Sequence, residues 1–119
     1  MTRKQVLWVD DDGFVLAAIR RLLEVNGYAV MTAPNGETAL ACRSNLFDVV
    51  VLDYNLPDMN GLVVARELKK RRGSLPILMY SACSEIPDDA MHDLAAFVSK
   101  GDPIQKLLDT IGELIARAA

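Results

Sequence analysis

Histidine is nearly missing from this sequence: His92 stands alone among 119 residues. That removes His-based zinc sites and the Ser-His-Asp arrangement as complete designs. Cysteine is almost as scarce. Cys42 and Cys83 lack CxxC spacing, so neither a zinc ribbon nor a disulfide framework is suggested. Both are expected to be small buried or half-buried residues. No apolar run reaches the roughly 18 residues of a membrane span, and the N-terminus lacks the charged-apolar-small order of a secretory leader. A cytoplasmic location and no membrane partner are therefore expected. Positive charge is not in excess either. A net charge of −3 leaves no electrostatic footprint for nucleic acid, and no direct nucleic-acid binding is expected. The one basic run, Lys69-Lys70-Arg71-Arg72 before Gly73, reads as a helix C-terminus with cations on its dipole and glycine at C′, rather than as a phosphate patch.

What is present is an ordinary globular composition, 51% hydrophobic and 24% charged, over a length that suits one domain, 1–119, with a real core. Short apolar runs alternate with helical patterns. Val6-Leu7-Trp8-Val9, Val49-Val50-Val51-Leu52 and Ile77-Leu78-Met79-Tyr80 are continuous, and Ala95-Ala96-Phe97-Val98 is a weaker fourth. Runs of this kind suit strands buried on both faces of a parallel sheet. Tyr28-Ala29-Val30-Met31 alternates and looks like an edge strand. Between the runs, Phe14, Ala17, Ala18, Leu22 and Val25 form one helical stripe ended by Gly27. Glu37 to Arg43 is a weaker helix, and Leu62, Ala65 and Leu68 mark another after Gly61. In the last, Asp102-Pro103 supplies an N-cap and N1 proline ahead of Ile104, Leu107, Leu108, Ile111, Leu114 and Ile115. Strand-helix repeats of this order predict a doubly wound α/β fold with a parallel sheet. The stretch from Ser84 to Asp93 has room only for a short fourth helix.

In such a fold, ligands bind beyond the carboxyl ends of the strands. Asp10, Asp11 and Asp12 come after the first run, Asp53 after the third in chain order, Ser81 after the fourth, and Lys100 after the fifth. At ~4 Å and an effective dielectric of ~20, each pair of crowded carboxylates costs roughly 4 kcal/mol. The cluster therefore calls for a cation, and hard carboxylate oxygens suit Mg²⁺. A hydroxyl and an ammonium at the same rim suit the oxygens of a phosphoryl group. With no evident base to activate a substrate, a carboxylate can itself be the nucleophile. Asp12, next to Gly13, reads instead as the cap of the first helix.

With these residues placed, the whole chain resembles a response-regulator receiver domain of two-component signalling. "VLWVDDD" resembles the family's first strand and acidic pair, falling on Asp10 and Asp11. "VVVLDYNLPDMNG" resembles the phosphorylation-site segment, with Asp53 as acceptor. "PILMYSA" places the family's hydroxyl residue at Ser81, and "AAFVSK" places its lysine at Lys100 and its switch aromatic at Phe97. The resemblance implies a (βα)5 flavodoxin-like fold with strand order 2-1-3-4-5. It implies phosphoryl transfer to Asp53 from a sensor histidine kinase or phosphotransfer protein, with no enzymatic turnover beyond the domain's own phosphorylation and dephosphorylation. Asp11, Asp53 and the backbone carbonyl of Asn55 would bind Mg²⁺ directly, and Asp10 through water. Lys100 and Ser81 would hold phosphoryl oxygens while Phe97 turns inward. The surface of fourth helix, fifth strand and fifth helix would then signal to an output domain or protein.

The sequence departs from the family pattern in places. Gly101 stands where many relatives have proline, Phe97 has no hydroxyl, and Cys83 occupies a position tied to dephosphorylation. The segment between Ser81 and Lys100 is short. Two alternatives remain open at this level. One is a haloacid-dehalogenase-like phosphatase with Asp10 as nucleophile, Asp12 as acid/base, and Ser81, Lys100 and Asp88-Asp89 in support. The other is a receiver-like binding module that works without phosphorylation.

Overall fold

A computed structural model describes residues 3–82 and 88–118, and the side chains of 88–90 are outside that set. Cys83 lies outside the described residues. Five strands form one parallel sheet: β1 Gln5–Val9, β2 Ala29–Ala33, β3 Val49–Leu52, β4 Ile77–Ser81 and β5 Ala96–Ser99. Their order is β2-β1-β3-β4-β5, which is the expected order and leaves β2 on an edge. Among the described residues the α-helices are α1 Gly13–Val25, α2 Gly36–Ala41, α3 Gly61–Arg71 and α4 Ile104–Ala118.

The continuous apolar strands work because successive side chains point to opposite faces. From β1 and β3, Leu7, Val9, Val50 and Leu52 pack on Ala39 of α2 and Leu62, Ala65 and Leu68 of α3. Their neighbours Val6, Trp8, Val49 and Val51 pack on Ile19 and Leu23 of α1 and Leu107, Ile111 and Leu114 of α4. All eight strand positions are buried, each large one contributing about 1.5–3 kcal/mol of transfer free energy. Both faces are covered, so the fold is doubly wound.

Five local expectations change. In α1 the buried stripe is not Phe14, Ala17, Ala18, Leu22 and Val25. Ile19 and Leu23 are buried, with Val15 and Leu16 packed beside them, whereas Phe14 is 91% and Val25 78% exposed. The helix is apolar on more than one side, so the sheet, not the periodicity, chooses the inward face. Next, Gly73 does not take a left-handed C′ conformation; among the described residues that belongs to Gly27, with φ of 93°, which closes α1. The basic run in the last turn of α3 and its C-cap ties down carbonyls: Lys69 donates to Gly73 and Leu75, Arg71 to Leu40, and Arg72 to Ser44 and Phe47.

At the start of α4, Asp102 does not cap the helix. Its carboxylate turns back to accept from the Ser99 N–H at 3.3 Å and from Lys106 Nζ at 3.1 Å. Finally, where a short fourth helix was expected, the described stretch Asp88–Asp93 is a 3-10 turn. That is what a short crossover permits, since 3-10 geometry spans more length per residue than an α-helix. Ile104, assigned to the stripe of α4, is exposed.

Candidate functional site

The rim is built by backbone registration. The Asp10 N–H donates to the Ala33 carbonyl, the Asp53 N–H to the Val9 carbonyl, and the Lys100 N–H to the Ser81 carbonyl. Each site residue is thus held by a hydrogen bond to the neighbouring strand, at the first step past its own strand or at that strand's end. This places Asp10, Asp53, Ser81 and Lys100 together although they are far apart in sequence. One carboxylate oxygen each from Asp10, Asp11 and Asp53 lies within 4.8 Å of the others.

Asp10 is 1% exposed and Asp53 8%. Such burial of carboxylates is costly unless they are paired. Lys100 provides the pairing: its Nζ lies 3.1 Å from Asp10 Oδ2 and 2.9 Å from Asp53 Oδ2. Burial on its own would lower the Lys100 pKa. Hydrogen bonds to Asp53 and Asp10, together with their charges, outweigh that and raise it above the usual 10.5. The ammonium's contribution to stability is therefore fully present below pH 10.5 and fades only as alkaline pH passes through the raised value.

The second oxygens are also engaged. Asp10 Oδ1 accepts from the Asp12 N–H at 3.0 Å, and Asp53 Oδ1 from the Asn55 N–H at 3.3 Å. Asp11 is exposed and points its carboxylate into the same cluster. Asp12 does what its sequence context predicted: Oδ1 accepts from the N–H groups of Phe14 and Val15 and caps α1.

Ser81 is buried at the end of β4, in register with Ser99. Phe97 is half-buried and packs against the core layer that holds Met79. Behind the site, Tyr80 meets Trp8 edge to face at 5.6 Å, and the Lys100 ammonium sits 5.9 Å from the Tyr80 ring. Gly101 has no left-handed φ, so nothing in its backbone demands glycine. Cys42 is half-buried and donates to the Thr38 carbonyl at 3.3 Å, a structural position.

Sequence reasoning takes the loop after Asp53 only as far as Asn55 and misses Asp58. Its Oδ1 and Oδ2 accept from the N–H groups of Gly36 and Glu37 at the start of α2, both at 2.9 Å. These two bonds hold the carboxyl below the ordinary 3.8, so they are present above that pH and lost in stronger acid. No local pattern could reveal a partner twenty-two residues away.

The geometry also weighs on the phosphatase alternative. Asp10 is shut away from any large substrate, and the carboxylate of Asp12 is committed to the helix cap. Among the described residues, no helix is long and apolar enough to cross a membrane.

Comparison with known proteins bears on the same site. The family model for the response regulator receiver domain matches residues 6–111. The Mycobacterium tuberculosis transcriptional regulatory protein PrrA is 38% identical over 89 residues, covering 74% of this chain and 38% of that protein. Response regulator MprA of Mycobacterium sp. strain KMS is 35% identical over 119 residues, covering 97% of this chain and 52% of that protein. The chain therefore spans about half or less of these relatives' length. Among solved structures, Thermotoga maritima response regulator TrrA in complex with Mg²⁺-BeF superposes with a TM-score of 0.87 at 30% identity, covering 93% of this chain and 98% of that one. The non-phosphorylated HemR receiver domain of Leptospira biflexa gives 0.88 at 29%, covering 95% and 94%.

Proposed function

The chain belongs to the response regulator receiver domain family and is a phosphoacceptor signalling domain; from that premise we propose that residues 1–119 form one receiver module in which Asp53 is the acceptor. One observation carries the assignment. Of the two buried carboxylates that share Lys100, Asp53 is the more exposed, 8% against 1% for Asp10.

The phosphoryl donor is a phosphohistidine on a sensor histidine kinase or phosphotransfer protein. An oxygen of Asp53 attacks phosphorus, an O–P bond forms, and the P–N bond breaks with its electron pair returning to the imidazole. The donor set fits Mg²⁺, being hard carboxylate oxygens from three aspartates within 4.8 Å of one another. Asp11, Asp53 and the Asn55 carbonyl would hold the ion directly, and Asp10 through water. When bound, the ion offsets the negative charge gathered at the rim. Lys100 passes from the Asp53 carboxylate to a phosphoryl oxygen, and the Ser81 hydroxyl donates to another. Phe97, already half inward, packs behind Ser81 and switches by shape alone. The output face comprises the turn Asp88–Asp93, β5 and α4, read by an output domain or protein. The module acts in the cytoplasm and turns over no other substrate.

Incubation with a small-molecule phosphodonor and Mg²⁺ should place acid-labile phosphate on Asp53. Label elsewhere, or none, overturns the assignment.

Two further outcomes are expected at the rim. Asp11→Ala should weaken Mg²⁺ binding by about tenfold or more in a calorimetric titration, since it removes one charged ligand. Asp12→Asn should leave the affinity within about twofold, because asparagine caps a helix as well as aspartate.

Phe14 lies beside the rim, two residues past Asp12, with 91% of its surface in water, and Ala17, Ala18 and Val25 continue an exposed apolar face. This is the surface offered to the protein phosphodonor. Phe14→Ala should slow transfer from a phosphohistidine protein by about tenfold, as loss of an aromatic anchor does. It should not alter phosphorylation by a small molecule. Equal effects on both donors would refute the docking role.

A further inference from the structure

We propose that Asp58 is a positioning residue for the phosphoacceptor site: it pins the loop carrying Asp53 and Asn55 to α2 and thereby sets the site's hold on Mg²⁺. The inference rests on the Mg²⁺ reading above. Residues 53–61 form a closed unit. The Gly61 N–H donates to the Tyr54 carbonyl at 2.7 Å, and Asn55 and Asn60 face each other in an isolated antiparallel bridge. The unit is shut tightly at its base, since a Cβ on Gly61 would collide with the Asp53 carbonyl oxygen. A loop closed in this way moves as one piece, so an outside anchor decides where its inner edge sits.

That anchor is two-sided and meets α2 at Gly36. Asp58 takes the Gly36 and Glu37 N–H groups, both at 2.9 Å. The next residue, Met59, presses its side chain on Gly36, where an added Cβ would lie 2.6 Å from the Met59 Cγ and Sδ. Helix stability alone does not account for the arrangement. α2 already has its own cap, Asn35 Oδ1 accepting from the Thr38 N–H at 2.8 Å. What Asp58 adds is a tie between this helix and the loop. The tie acts at one remove: Asp58 itself faces α2, three residues from the Asn55 carbonyl that completes the proposed cation site. Losing it frees the loop to rotate as one piece and shifts the Asn55 carbonyl relative to the Asp10 and Asp11 carboxylates that follow β1.

The test compares Asp58→Ala with Asn35→Ala in the full chain. Mg²⁺ affinity is read by calorimetry, and phosphorylation rate by a small-molecule phosphodonor at saturating Mg²⁺. Asp58→Ala should raise the Mg²⁺ dissociation constant by about tenfold, the lower end for loss of a supporting partner. Its rate at saturating Mg²⁺ should stay within about twofold, because added ion refills the site by mass action. Asp58→Asn, which keeps one acceptor oxygen, should fall between. Asn35→Ala, which removes only the helix cap, should leave Mg²⁺ affinity unchanged. Wild-type affinity in a folded Asp58→Ala chain overturns the tie, as does an equal loss in Asn35→Ala. A wild-type chain that binds no Mg²⁺ overturns both the tie and the cation reading on which it rests.

Discussion

Asp53→Asn should abolish uptake of acid-labile phosphate while the chain stays folded. An amide oxygen carries no negative charge to attack phosphorus, so the loss should be complete to the limit of detection and not merely partial. The fold should survive because the Asp53 backbone bond to Val9 is untouched and an amide oxygen can still accept from Lys100. Asp10 is badly placed to substitute. It is almost fully buried, 1% exposed against 8% for Asp53. Radiolabel transfer from a small-molecule donor reads the effect, and thermal unfolding checks the fold. Retained label in Asp53→Asn, lost instead in Asp10→Asn, would return the chemistry to the first strand.

Lys100→Ala should produce two effects of opposite direction. Without divalent cation, it leaves the buried carboxylates of Asp10 and Asp53 facing each other unpaired. Breaking a buried pair by removing one partner typically costs about 3–5 kcal/mol. Here about 3 kcal/mol is expected, at the low end of that range, because Lys100 keeps 28% of its side-chain surface in water. Mg²⁺, by contrast, should bind more tightly to the variant. The ammonium sits on Asp10 Oδ2 and Asp53 Oδ2, the carboxylates that an ion needs, so its removal takes away a competitor. Urea denaturation with and without Mg²⁺ measures both. The stability deficit should shrink as Mg²⁺ is added, since a ligand that binds only the native state stabilises it. A deficit unaffected by Mg²⁺ would show that Lys100 supports packing and not charge.

The sequence was a good guide wherever one residue type answers one local demand. Val49-Val50-Val51-Leu52 has no polar position and is β3 to the residue. Asp12 before Gly13 is a cap, and Gly27 ends α1, because each solves a problem set by its own neighbours. Rim residues were legible for a different reason. A parallel sheet brings its strand ends to one side, so the residues just past each apolar run converge on the site. Failures arose where the deciding partner is distant. In α1, apolar residues occur around the helix, and only the sheet settles that Ile19 and Leu23 turn inward while Phe14 and Val25 do not. Asp102 sits before a proline as a cap would, yet Ser99 and Lys106 claim its carboxylate. Asp58 carries no local signal, because only the fold sets α2 beside it.

Trp8, the chain's only tryptophan, is 1% exposed and touches the ring of Tyr80, which the ammonium of Lys100 approaches from the site. That edge-to-face pair is an optical tap into the molecule. Its indole lies two residues from Asp10 and is sealed from solvent, so quenchers in the buffer cannot reach it. Any redistribution of charge at Nζ alters the field across the two rings. The protein's native emission therefore registers events at the rim without a dye, a tag or an added chromophore.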